Sequence, residues 1–179
     1  MPSLECKHIE VCVFRTHSPA NSLPPQEWRA RKKERGKRRT ESVEYLLLKR
    51  SEKKGLYPGI WQIITGKIKK GESAIDAARR ELAEETAIRP VRFWVVPHVT
   101  TFYNATDDSV NQIPFFCAEA GTGREPKLSK EHVEYEWVSF GETQQRIVWP
   151  GQRKGVRIVH DFIVSGGLAG KLSLVDSEQ

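Results

Sequence analysis

The sequence predicts an α/β chain, a mixed sheet with at least two packed helices in an α/β/α or α+β layer arrangement. Three observations carry that expectation. Short β-branched and aromatic runs recur along the chain, and helix-period patterns interrupt them at two places. The 179 residues, 38% of them hydrophobic, suffice for one core but not two. We expect a single domain over residues 1–179.

The elements follow in order. "HIEVCVFR" at 8–15 alternates apolar and polar side chains and reads as a strand; "VEYLLLKR" at 43–50 reads as a second, more buried one. Between them, at about 18–42, lies a segment rich in Pro, Ser and basic residues, too long for a hairpin turn. It reads as an inserted loop with a short helix around 26–33. A short strand at 61–65 leads into a glycine-bounded loop. Ile75, Ala78 and Leu82 then recur at helical spacing and turn a helix over Ala74–Thr86 toward the core. "VRFWVVPHVTTFYN" and "NQIPFFCAEA" are strands split by the turn-like "ATDDS". "EHVEYEWVSF" reads as the last strand, and "GQRKGVRIVHDFIVSG" as the closing helix.

Composition narrows the function. No apolar run approaches the roughly 20 residues that cross a bilayer, and the first residues lack a secretory pattern. Cys6, Cys12 and Cys117 form no CxxC pair, which argues against a disulfide framework or zinc knuckle. A cytoplasmic protein is expected. The net charge of +6 is concentrated: residues 29–39 hold eight Lys or Arg and one Glu, leaving the remainder close to neutral. A nucleic-acid footprint over the whole surface is therefore not indicated.

The chemistry concentrates in residues 66–88, "GKIKKGESAIDAARRELAEETAI". Glu81, Glu84 and Glu85 share a helix face within an arc of about 100°. Like charges at that spacing repel unless a cation lies between them, and a hard divalent ion with oxygen ligands is the natural one. The stretch "GKIKKGES" nearly spells a phosphate-cradling GxxxxGK[ST] loop, but Glu72 stands where the lysine belongs and would repel the anion.

Gly66, Glu72, Arg80-Glu81-Leu82, Glu84-Glu85 and Ile88 stand at the spacing GX5EX7REUXEEXGU. This resembles the box of the Nudix family, with Ala87 in place of the last glycine. The surrounding strands also resemble the Nudix α/β/α sandwich. The resemblance implies an enzyme that hydrolyses a diphosphate joined to another moiety, using Mg²⁺, with Mn²⁺ as the alternative. It implies Glu81, Glu84, Glu85 and the Gly66 carbonyl as metal ligands, with Arg80 and Glu72 fixing loop to helix. Glu84 and Glu131 are both candidates for the general base, with Glu131 alternatively a further metal ligand.

Lys49 and Arg50 end a strand and are candidates for substrate phosphates; Phe102, Tyr103 and Trp149 are candidates for stacking. The histidines show no ligand spacing. "GIWQIITGKIKKGE", "KEHVEYEWV" and "VWPGQRKGVRIVHDFI" resemble the dihydroneopterin triphosphate pyrophosphatase group, which places Trp61 and Gln62 near the site and implies monophosphate and pyrophosphate as products. Dinucleoside polyphosphates, nucleotide sugars and capped RNA are the alternative substrates. A further alternative is a regulatory protein of the same fold that grips RNA through the basic segment and Trp28; a solvated loop is the preferred reading of that segment. Nudix proteins are often homodimers, although no stretch here defines an interface.

Overall fold

The computed structural model describes residues 1–17, 42–52, 57–121, 123–165 and 168–177. The inserted segment, with its expected helix and Trp28, lies outside the described residues apart from its last position, Ser42, which opens a strand. The elements are β1 (Ser3–Glu5), β2 (His8–His17), β3 (Ser42–Arg50), β4 (Trp61–Gln62), β5 (Ile64–Lys67), α1 (Ala74–Thr86), β6 (Pro90–Asn104), β7 (Ser109–Ala120) and β8 (His132–Val138). They continue with α2 (Phe140–Arg146), α3 (Pro150–Ile158), a π-helical turn (Val159–Val164), α4 (Leu168–Leu172) and β9 (Leu174–Ser177).

All the strands join one mixed sheet. Its spine runs β4-β3-β2-β7-β6-β9, with β5 also on β2, β8 on β3 and β1 on β7. β2 runs parallel to β7, whereas β3 and β5 lie antiparallel to β2. The period-2 alternation of β2 separates two cores. Ile9, Val11 and Val13 pack with Leu46, Leu48, Ala78 and Leu82 under α1. Cys12 and Phe14 face the opposite way, onto Tyr45, Phe115, Val156 and Val159 beneath α3 and the π turn. This is the expected α/β/α layering.

Local chemistry explains the helix bounds. Ser73 caps α1, its hydroxyl accepting from the Asp76 N–H. Ala87 closes it at φ 55°, donating its N–H to the Ala83 carbonyl. A side chain in that left-handed region costs about 1 kcal/mol relative to glycine, and burial of the adjacent Ile88 anchors the turn. α2 begins in a capping box between Ser139 and Glu142, and α3 begins with proline in its first turn.

Several elements differ from expectation: β1, α2 and α4 stand where no element was expected. β8 is not the last strand, because β9 pairs with β6 at the sheet edge. Four residues are too few to display an alternation, and the pairing is supported by Trp94, whose indole N–H donates to the Gly170 carbonyl at 2.9 Å. The closing helix changes to π geometry after Ile158. Among the described residues, no helix is long and apolar enough to cross a membrane.

α3 lies unusually close to the sheet. A Cβ added at Gly155 would overlap the Phe115 ring, and one at Gly151 would overlap Thr100. Gly155→Ala is therefore expected to destabilise the protein by about 1–3 kcal/mol, read as a lower denaturant midpoint at unchanged slope.

Candidate active site

The glutamate helix meets the end of β5 at Gly66, where any side chain would push Glu81 aside. A Cβ on Gly66 would overlap the Cγ and Cδ of Glu81, so the missing side chain lets that carboxylate lie against the strand. β5 is itself held by β2, with Gly66 opposite Ile9. The box thus joins strand end, loop and helix into one rigid unit.

Arg80 organises the unit. Its Nε and Nη2 grip Glu72 Oε1 and Oε2 at 2.8 and 2.9 Å, and Nη2 also donates to the Lys67 carbonyl at 2.8 Å. Nη1 donates to Glu81 at 2.7 Å and Glu84 at 3.1 Å. The paired guanidinium, together with the Lys69 N–H, holds the Glu72 carboxyl down to about 2. Glu84 is the more exposed carboxylate, with Lys69 Nζ 3.7 Å away.

Glu85 lies differently. It is 4% exposed, its Oε2 has no hydrogen-bond partner, and His132 Nδ1 stands 3.7 Å off. Burial, then the charges of Glu81 and Glu131, push its carboxyl up to about 9, with Arg50 acting in the opposite direction. Glu131 and Arg50 therefore face the same cluster. The Glu131 carbonyl also accepts from the Ser51 N–H, which ties this loop to the end of β3.

The donors fit a hard divalent ion in kind: carboxylate oxygens, a strand-end carbonyl, and one buried oxygen that lacks a partner. Among the described residues no three such groups converge on one point; Nη1 of Arg80 draws Glu81 and Glu84 to itself.

The other candidates divide. Successive β3 residues point to opposite faces, and Lys49 pairs with Glu134 at 3.2 Å, 5.8 Å from the Trp61 ring centroid. One face of Trp61 is covered by the Arg146 guanidinium at 4.1 Å. Gln62 is buried beside Leu48. Trp149 packs edge-on to Tyr57 at 4.9 Å. Phe102 and Tyr103 lie exposed near the far end of β6.

Sequence reasoning missed His132, which has no ligand spacing, and a buried polar group of Glu10, Thr100 and Gln152 on the opposite face of the sheet. The one available signal was Glu10 itself. It shares a face of β2 with Cys12 and Phe14, so an acidic residue occupies a position where the neighbours are core.

The NUDIX domain family model matches residues 34–157. An octanoyltransferase of Myxococcus xanthus is 30% identical over 122 residues, which are 68% of this chain and 33% of that protein; the chain thus spans about a third of that relative's length. The nucleoside triphosphatase NudI of Escherichia coli strain K12 is 31% identical over 101 residues, 52% of this chain and 72% of that one. Two solved structures share the fold at 17% identity. A C. elegans Ap4A hydrolase in a binary complex has a TM-score of 0.62 over 88% of this chain and 97% of its own. The E. coli dihydroneopterin triphosphate pyrophosphohydrolase has 0.56 over 90% and 100%. With the glutamate helix seated on Gly66 and the family model spanning well over half of the sequence, the chain belongs to the NUDIX domain family.

Proposed function

We propose that the chain is a divalent-metal-dependent pyrophosphohydrolase. Its substrate would be a nucleoside triphosphate or a compound like dihydroneopterin triphosphate, and its products a monophosphate and pyrophosphate. The observation that carries this reading is Glu85, a buried carboxyl with an unpartnered oxygen beside two further glutamates on one helix face. The likeness to NudI supports a triphosphate over a nucleotide sugar or dinucleotide. The substrate is a small molecule, and nothing in the site requires a membrane or an RNA.

Glu81, Glu84, Glu85 and the Gly66 carbonyl would hold Mg²⁺, which when bound neutralises the diphosphate and activates water for attack. Arg80 keeps Glu81 and Glu84 in register and, through Glu72, fixes the loop that precedes them. Arg50 places a positive charge beside the cluster, suited to the charge that develops on the leaving pyrophosphate. Water oxygen bonds to the attacked phosphorus, the bridging P–O bond breaks, and the water proton passes to a carboxylate. Glu84 and Glu131 are the two bases in reach of the cluster; Glu84 lies on the box helix and Glu131 on the opposing loop.

Three outcomes test the reading. Glu84→Gln is expected to lower kcat by about 10²–10⁴ with Tm unchanged, measured by chromatographic separation of the products from a panel of triphosphates, ADP-ribose and capped RNA with Mg²⁺ or Mn²⁺, pyrophosphate being the expected product from the triphosphates. Glu131→Gln is expected to lower kcat as well, and an unchanged rate removes it from the site. Mg²⁺ at about a hundredfold over its Kd is expected to raise the wild-type Tm by roughly 5–10 °C. Gly66→Ala, which displaces Glu81, is expected to keep the far-UV spectrum and lose that shift; an equal shift in both proteins argues against a metal cradle here.

A further inference from the structure

Strand β8 breaks its own alternation at the edge of the box. On β3, Leu46 pairs with Trp137, Leu48 with Tyr135 and Lys49 with Glu134. Arg50 then falls opposite His132, so the ladder skips Val133. Tyr135 and Trp137 pack against the core under α1, and by strict alternation Val133 would follow them there. The bulge reverses that order. Val133 is 59% exposed, and His132 is 5% exposed in its place. An apolar β-branched side chain stands in water while an imidazole is buried, the opposite of what burial alone selects. Bulges next to functional sites re-aim side chains in this way.

His132 is aimed at Glu85. Its Nδ1 lies 3.7 Å from Glu85 Oε2, and both side chains are almost wholly enclosed. The backbone fixes the two residues to each other. Ser129 N–H donates to the Glu85 carbonyl at 3.2 Å, and His132 N–H donates to the Ser129 carbonyl at 3.4 Å. Lys127 N–H donates to the Thr86 carbonyl at 2.8 Å, so the same loop closes the C-terminal end of α1. From β3, Ser51 N–H donates to the Glu131 carbonyl at 3.0 Å. The imidazole is thus held at a set distance from a carboxyl group that lies outside the Arg80 clamp.

We propose that His132 is a positioning residue for Glu85: delivered by the bulge in β8, its ring fixes the plane in which that carboxylate joins Glu81 and Glu84 on a divalent ion. The inference rests on the metal-dependent hydrolase reading and adds the group that orients the most buried ligand. Arg80 orders Glu81 and Glu84 from one side, and His132 orders Glu85 from the other. Groups that orient a ligand side chain commonly account for about 10–100-fold in metal affinity. His132 acts through Glu85 and not on the substrate.

The test is metal binding without substrate, read by calorimetry with Mg²⁺ and by electron paramagnetic resonance with Mn²⁺. His132→Phe keeps a ring of similar size and removes both nitrogens. It is expected to fold with a Tm at or above wild type and to bind either ion about 10–100-fold more weakly. His132→Leu takes its place if the phenylalanine variant does not fold. His132→Asn, whose amide reaches the place of Nδ1, is expected to recover most of the lost affinity. Triphosphate cleavage by His132→Phe is expected to fall at low Mg²⁺ and to recover as Mg²⁺ is raised. Val133→Ser is expected to leave Tm and affinity unchanged; a Tm lowered as by a core truncation places Val133 inside and overturns the inference. Wild-type affinity in folded His132→Phe also overturns it, while leaving the hydrolase reading intact. So does a His132→Asn protein that binds no better than His132→Phe, which marks the ring as packing alone. If wild type binds neither ion, the hydrolase reading falls and this inference falls with it.

Discussion

Three carboxylates crowded on one helix face need a cation, and in this protein Arg80 is the first to supply it. A guanidinium carries five N–H donors in a fixed plane, and all five are used: two on Glu72, one on the Lys67 carbonyl, one on Glu81 and one on Glu84. The same group thereby binds the loop to the helix and offsets the repulsion within the helix. A lysine would provide one mobile charge without the fork, and could not hold loop, strand end and helix at once. The position of Glu81 against Gly66 follows from that clamp, and the rest of the site is built outward from it.

Glu85 is the carboxylate that Arg80 does not reach. Its buried oxygen, set beside His132 and facing Arg50 and Glu131, makes this side of the helix the place where the protein's own compensation is incomplete. Glu81 and Glu84 are hydrogen-bonded by Arg80, whereas Glu85 has only the His132 ring 3.7 Å from an oxygen that accepts no hydrogen bond. The site thus combines a half tied by Arg80 with a half that Arg80 does not hold. This asymmetry is the physical content of the cluster that the sequence displays as three letters.

The box was legible because its chemistry is local. The glycine, the glutamates and the arginine fall within 23 consecutive residues, and helix geometry converts their spacing into a shared face. The bounds of α1 were legible for the same reason, and even the oddity at Ala87 appears as a positive φ at the expected position. What spacing cannot display is pairing across the sheet. β1 and β9 are short strands whose identity depends on β7 and β6. The capping box at Ser139 and Glu142 begins within the last two residues of the aromatic run 131–140 and ends beyond it, so the strand pattern hides the helix start. The group of Glu10, Thr100 and Gln152 is assembled across separations of 90 and 142 residues, so no motif could announce it. Its one trace, an acidic residue on the core face of β2, looks like ordinary strand alternation until the fold shows that both faces of that strand are covered.

Covering both faces of β2 has an energetic consequence. A strand buried on two sides can carry a polar side chain inward only at a cost in stability, because the charge loses its water on either face. Next to Glu10, the odd-numbered residues serve the core beneath the box helix, while Glu10 itself opens onto the core beneath α3. The sheet therefore separates two polar groups. The box carboxylates gather on the face under α1, and Glu10 with its neutral donors Thr100 and Gln152 lies on the other. Because Ile9 and Glu10 are consecutive and pair with Gly66 and Thr65, the placement of one group relative to the other is set by backbone register and not by loops.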